Sequence, residues 1–368
     1  MHRPQQRIED VPRGKFIPPH CPHDDCPAFD PESGIAFRWT KSGSFPATCR
    51  SGRTQRYVCH VCHRTFSQQT FACTYFLKRP ELLDPVAAAL VAGSAHRRIA
   101  RHALLFMRVF ETRLRIREEV VIDMFVGFVG TQFIQLHVPT AVGRDSRYLF
   151  AVDHAQQLGP ASNPFQRERR QTLIRRCGRP ARGQRLAAAR RVIGRLVARC
   201  GRKLVLVSDG ATEFSRAAAE NPRVVHRAYP NPKRGPKGAA RSAAALERDL
   251  QMGPVDNLHR FIRHVMAHHR RETIAFHHSV NSAVAHFLLL RVWRNLLQWR
   301  REALPKEGTP AMFLGLTDRI WTWADVFSKR HFVGHHGLAA DEKAIYRRRL
   351  VTRTLSRKER VHHLVYAD

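Results

Sequence analysis

The sequence predicts an α/β protein, a mixed sheet with flanking helices, preceded by a small metal-held module and a helical region. Three observations predict it. Two cysteine pairs stand near the N-terminus. The middle of the chain reads as three strands, a helix, a strand, a helix and a strand. Three aspartates sit within or beside regular elements: Asp123 inside the apolar run VVIDMF, Asp209 at the end of KLVLVSDG, and Asp256 at the opening of the basic segment PVDNLHRFIRH. A hard divalent cation such as magnesium takes oxygen ligands. Two strand-borne acids and one helix-borne acid can bring such ligands together.

The elements follow in chain order. Residues 1–19 form a basic N-terminal segment without the apolar centre of a signal peptide. Residues 20–72 hold Cys21 and Cys26 in CPHDDC, and Cys59 and Cys62 in CHVCHRTFS. Four thiolates in two knuckles can close one tetrahedral zinc site, so one structural Zn2+ is expected, with Phe66 packed beneath it. His20, His23, His60 and His63 flank the knuckles as substitute ligands. Cys49, Cys73, Cys177 and Cys200 lack paired spacing and read as ordinary small residues.

Residues 78–117 read as a helical DNA-binding region of helix-turn-helix type. LLDPVAAALVAG ends at Gly93, Ser94 caps a second helix over AHRRIARHALL, and FMRVFETRLRIRE supplies a third. Ile99 and Ala100 would face the core of that unit, and Arg97, Arg98 and Arg101 would face phosphates. A helical linker with a solvated basic face is the competing interpretation.

Residues 118–285 form the main unit. Strands are expected at 119–129, 133–142 and 146–155, with a turn at Gly143, Arg144, Asp145 and Ser146. A basic insertion, NPFQRERRQTLIRRCGRPARG, follows. The next helix, 185–200, has Leu186, Val192, Ile193, Leu196 and Val197 on one stripe. KLVLVS is a strand buried on both faces, ATEFSRAAAE a short helix, and RVVHRAY a strand. NPKRGPKGAARSAA reads as a basic loop before the helix that carries Asp256. Residues 286–368 form a helical, basic C-terminal region, whose Trp293, Trp299, Trp321 and Trp323 read as packing residues more readily than as base-stacking ones.

Charge bounds the partner. The 368 residues include 63 Lys+Arg against 30 Asp+Glu, a formal net charge of +33. Such an excess attracts nucleic acid or an anionic membrane surface. No stretch approaches the roughly 18–20 apolar residues of a spanning helix. The expectation is a soluble, cytoplasmic, nucleoid-associated protein that works on double-stranded DNA.

The element order is that of the ribonuclease H-like fold, in which acids on the first and fourth strands lie side by side. In the motifs CPHDDC with CHVCHRTFS, GSAHRRIAR, VIDMF, LVLVSDG, and RHVMAHHRRETIAF followed by VWRN, the chain resembles DDE-type transposases of insertion sequences with an N-terminal zinc ribbon. The resemblance spans about residues 20 to 325. It implies a ribonuclease H-like core with two Mg2+ (or Mn2+) ions, a homo-oligomer on DNA, cleavage at transposon ends, and strand transfer into target DNA. By position Asp123 matches the first acid and would bridge both ions; Asp209 matches the second. The family commonly has glutamate where this chain has Asp256, which reaches one methylene less. Glu272 is the rival third acid, about four and a half helical turns further on. Arg263, His264, His268, Arg270 and Arg271 would hold phosphates near the site, with DNA binding assigned to Arg263, Arg270 and Arg271. A catalytically inactive transposase-derived DNA-binding protein, and a ribonuclease H-like nuclease without strand transfer, are the alternatives.

Overall fold

The computed structural model describes residues 16–30, 33–46, 53–72, 75, 87, 97–232, 240–270 and 276–354. Glu272, Arg271, Cys49 and Cys73, and most of the stretch expected to hold the first two helices of the helical region, lie outside the described residues.

The N-terminal module is a three-stranded antiparallel sheet, β1 (Trp39–Pro46), β2 (Arg53–Cys59) and β3 (Thr65–Ser67). Its small core joins Cys21, Cys26 and Cys59 to Tyr57 and Phe66, whose rings stack 5.6 Å apart. A core this small gains little from apolar burial alone, which is where a metal contributes most.

The sheet of the main body has the order β6-β5-β4-β8-β9. β4 is Val120–Val129, β5 Thr131–Gly143, β6 Leu149–Val152, β8 Leu204–Ser208 and β9 Val224–Ala228. β7 (Ala155–Leu158) also pairs with β5. β4 runs antiparallel to β5 and parallel to β8, and β8 runs parallel to β9. The expected single strand at 146–155 is therefore two, broken where the buried Asp153 turns its carboxylate to Arg191. Gly130 makes the tight turn between β4 and β5 at φ +69°, and Thr354 lies 2.9 Å from where its Cβ would stand.

One helix, α1 (Arg97–Phe110), replaces the expected second and third helices of the helical region. No turn divides it, because Ile99, Ala103, Leu104, Phe106 and Met107 lie in the main core together with residues of the sheet. α2 (Pro164–Cys177) lies in the expected basic insertion; Asn163 caps it, Pro164 opens it and Gly178 ends it at φ +74°. α3 (Gln184–Arg199) covers one face of the sheet with the predicted stripe, and α4 (Thr212–Ala219) connects β8 to β9.

The other face carries α5 (Ala243–Val265), whose Met252, Val255, Leu258 and Ile262 pack on Val121 and Phe125 of β4. Ser242 caps it, so Pro254 lies inside the helix instead of opening it. α6 (Val280–Val292) is buried nearly all round. It straddles the expected boundary at 285/286, and Leu288, Trp323, Val326 and Leu338 share the main core. The remaining helices are α7 (Pro310–Phe313), α8 (Trp323–Phe327) and α9 (Ala340–Tyr346). Trp323 is buried, Trp293 and Trp321 pack against the core, and Trp299 is exposed. No helix among the described residues is long and apolar enough to cross a membrane.

Candidate active site

Sheet register brings the first two acids together. Ile122 of β4 pairs with Ser208 of β8 in a parallel ladder, so Asp123 and Asp209 are the next residues on adjacent strands. Asp209 leaves the strand and turns into α4, its Oδ1 accepting from Ala211 N–H at 3.0 Å. α5 crosses β4 with its apolar face down, which sets Asp256 at the margin of the same cluster.

The electrostatics link the three acids. Burial, then the negative charges of Asp209 and Asp256, raise the Asp123 carboxyl from 3.8 to about 7, against the opposing pull of the Met124 N–H and Arg248. Asp123 Oδ1 accepts from Met124 N–H at 2.7 Å. The other buried acids among the described residues, Glu111 and Asp153, are neutralised. Glu111 meets Arg291 at 2.5 Å, Arg199 at 2.9 Å and the Tyr148 hydroxyl at 2.9 Å. Asp153 takes a two-pronged contact from Arg191 at 2.7 and 2.8 Å. Burial alone would raise the Asp153 carboxyl, but the bond from Arg191 and the charge of Arg195 hold it below its ordinary value. Asp123 faces like charge instead, the setting of a carboxylate that takes a cation.

Asp256 forms an ion pair with Arg248, eight residues earlier on α5, which also reaches its other oxygen at 3.4 Å. Among the described residues, only the four cysteines and a trio of histidines bring three or more ligand atoms within 4.8 Å of one another. The three aspartates are thus more widely spaced than either cluster. Their oxygen donors and negative charge are of the kind a divalent cation takes, and Asp256 is held by Arg248.

His259, one turn after Asp256 on α5, completes the site. Its Nε2 lies 2.8 Å from Thr140 Oγ1 and its Nδ1 3.6 Å from Asp123 Oδ2. Thr140 stands opposite Asp123 in the β4–β5 ladder and donates to the Asp123 carbonyl at 3.3 Å. The Thr140 oxygen then accepts from His259 Nε2–H, which leaves Nδ1 as an acceptor facing Asp123, an assignment made from the hydrogen-bond pattern. Burial, reinforced by the nearby Arg263 charge, pushes the His259 imidazole down to about 3, so it is neutral at physiological pH. Sequence reasoning missed His259 and Thr140; the DNLH spacing, three residues on a helix, was the available signal for His259.

Two arginines expected to face phosphate brace the protein instead. Arg101 donates to Tyr346 carbonyl at 2.6 Å and lies over the Tyr346 ring. Arg263 donates to the carbonyls of His269 at 3.2 Å and Val126 at 3.3 Å and stacks on Phe125. Carbonyl acceptors and an aromatic face at these positions outcompete solvent for the guanidinium. Arg98 and Arg270 lie on the exposed surface, and the Arg97 side chain falls outside the described residues.

The cysteines meet as expected. Cys21 Sγ lies 3.7 Å from Cys62 Sγ, and Cys26 Sγ 4.0 Å from Cys59 Sγ. Tetrahedral zinc with bonds of about 2.3 Å sets sulfurs about 3.8 Å apart, so the four-cysteine cluster has the geometry of a structural zinc site. Burial opposes ionisation of Cys62, but hydrogen bonds centred on Arg64, with Cys21 and Cys26, bring its thiol from 9.0 down to about 7. The flanking histidines are not part of the cluster. The module docks on the C-terminal region through His335 Nε2 to the Phe29 carbonyl at 3.0 Å and Arg330 N–H to the Phe71 carbonyl at 3.1 Å.

Asn295, in the VWRN block, turns out to hold the sheet. Its side chain accepts from Leu149 N–H at 2.8 Å and donates to Leu149 carbonyl at 3.1 Å, in place of a further strand beside β6. Comparison with family models, with curated proteins and with solved structures found no match to this chain.

Proposed function

We propose that this protein is a DDE-type polynucleotidyl transferase, a transposase that cleaves DNA at transposon ends and joins the new 3′ ends to target DNA. The observation that carries the proposal is Asp123: a largely buried carboxylate on β4, raised to about 7 by burial and by Asp209 and Asp256, in a chain of net charge +33. The sheet order, with β4 antiparallel to β5 and parallel to β8, supports a ribonuclease H-like core. The four-cysteine module supports the zinc-ribbon half of the resemblance.

Asp123, Asp209 and Asp256 would hold two magnesium or manganese ions. When bound, such ions supply Lewis-acid activation of an attacking water and charge stabilisation at the leaving 3′ oxygen. The Met124 N–H holds one Asp123 oxygen, Thr140 ties the Asp123 backbone to His259, and the neutral imidazole adds no charge to compete with a cation. The exposed Arg98 and Arg270 offer phosphate contacts, with a salt-sensitive affinity.

The Arg248–Asp256 ion pair favours a second reading, a DNA-binding descendant whose catalytic site is closed by its own arginine. The test uses labelled duplexes carrying the ends of the DNA element that encodes the chain, with magnesium. Metal-dependent cleavage and joining, both lost in Asp123→Asn and Asp209→Asn, support the transferase. Binding without cleavage supports the closed-site reading. Cleavage without joining indicates a nuclease.

A further inference from the structure

A trio of histidines lies outside both clusters already described. His268, on the turn that ends α5, His277, and His286 of α6 bring one ring nitrogen each within 4.8 Å of one another. The rings crowd together, His277 lying 4.5 Å from His268 and 4.5 Å from His286 by centroids. His277 is 4% exposed, and its Nε2 has no hydrogen-bond partner among the described residues. The adjacent His269, also buried, has neither ring nitrogen hydrogen-bonded among them. Buried polar atoms left in this state call for a water or an ion. Burial and the neighbouring histidines hold His277 in the neutral form, the form that ligates.

We propose that His268, His277 and His286 bind a borderline transition-metal cation of the zinc class. Imidazole nitrogen is the ligand such ions favour, and three histidines leave a fourth position for water. Tetrahedral bonds of about 2.0–2.1 Å set nitrogens about 3.3 Å apart, so the rings draw in by up to about 1.5 Å on binding. The site is built where three pieces of chain converge. The His277 backbone is already clamped to the end of β4, its carbonyl accepting from Gly130 N–H at 2.6 Å and a bridge joining it to Val129. A metal here fastens the exit of α5, the helix bearing Asp256 and His259, to α6 and to the β4–β5 turn. The role is positional, and the trio shares no ligand with the three aspartates.

The experiment is a zinc count on the full chain, by atomic emission after equilibration with zinc alone and then with excess magnesium to keep zinc off the carboxylates. Two zinc ions per chain are expected for the wild type, one for Cys59→Ser and one for His286→Asn. His268→Gln alters the partly exposed ligand, where the fold tolerates change, and carries the test if His286→Asn fails to fold. Its expected content is one zinc, with an unchanged far-ultraviolet spectrum. One zinc in the wild type, or two retained by His268→Gln, overturns the proposal.

Discussion

Asp123→Asn removes the charge at the centre of the acidic cluster and keeps its shape. The Asp123 carboxyl titrates near 7 instead of 3.8. At about 1.4 kcal/mol per pH unit, ionising it inside the fold costs about 4 kcal/mol. Its side chain keeps 19% of its exposure, and water there screens the repulsion, so the expected size is about 2–3 kcal/mol. The sign follows from linkage. The folded protein holds this proton more tightly than the unfolded chain, so stability is lost as pH rises from about 4 to about 8. In magnesium-free buffer the Asp123→Asn protein is therefore expected to exceed the wild type by ~2–3 kcal/mol at pH 8. The gap should close as pH falls toward 4. Magnesium should stabilise the wild type at pH 8 and leave the variant nearly unchanged. Urea unfolding at a series of pH values, with and without magnesium, measures both. A variant no more stable than wild type at pH 8, or one that gains as much from magnesium, would refute the reading of Asp123 as a cation-seeking carboxylate.

Three further outcomes are expected. Asn295→Ala strands the N–H of Leu149 at the sheet edge, while the Leu149 carbonyl keeps Arg291 Nε at 3.2 Å; urea unfolding should show a loss of ~1–3 kcal/mol. Asp153→Asn removes one of the two acids that Arg191 and Arg195 share, leaving them Asp341, and should cost ~1–3 kcal/mol at pH 7. Because the folded Asp153 carboxyl sits below its ordinary value, its stabilisation is present above pH 4 and is lost as pH falls through that lower value, so the two proteins should converge in acid. Cys59→Ser should release the zinc of the four-cysteine cluster and raise hydrogen exchange across β1, β2 and β3, while exchange in β4 and β8 stays slow; equal loosening of both sheets would contradict a separately stabilised module.

Asp123 and Asp209 were legible in the sequence because a strand run and a parallel crossover place such ends side by side without knowledge of any side-chain angle. The cysteine knuckles were legible for a similar reason, since thiolate spacing survives almost any loop path between them. His259 was harder to read: its approach to Asp123 depends on the rotation of α5, which is fixed by Met252, Val255, Leu258 and Ile262 settling on β4. Arg101 and Arg263 looked like surface cations, because sequence does not say which carbonyls a folded neighbour will offer. The histidine trio recurs every nine residues, an interval that suits neither one helix face nor one strand face, and its members come from separate segments, so the spacing did not mark a site. The undivided α1 has the same cause: its apolar residues suit one long buried stripe as well as two short helices.

The pairing of Glu111 with Arg291 also sets a timetable for synthesis. The two residues are 180 positions apart, and at about 5–20 residues per second the ribosome takes roughly 9–36 s to pass from one to the other. During that interval a carboxylate meant for the interior has only part of its countercharge, and α1 has no α6 to lie against. The packing of α1 on α6 therefore cannot close until residue 291 has been made. Nascent chains arrested before residue 291 should remain open to protease around α1, and those released beyond residue 354 should resist it. The contact between α1 and α6 thus forms only after every strand of the main sheet has been made.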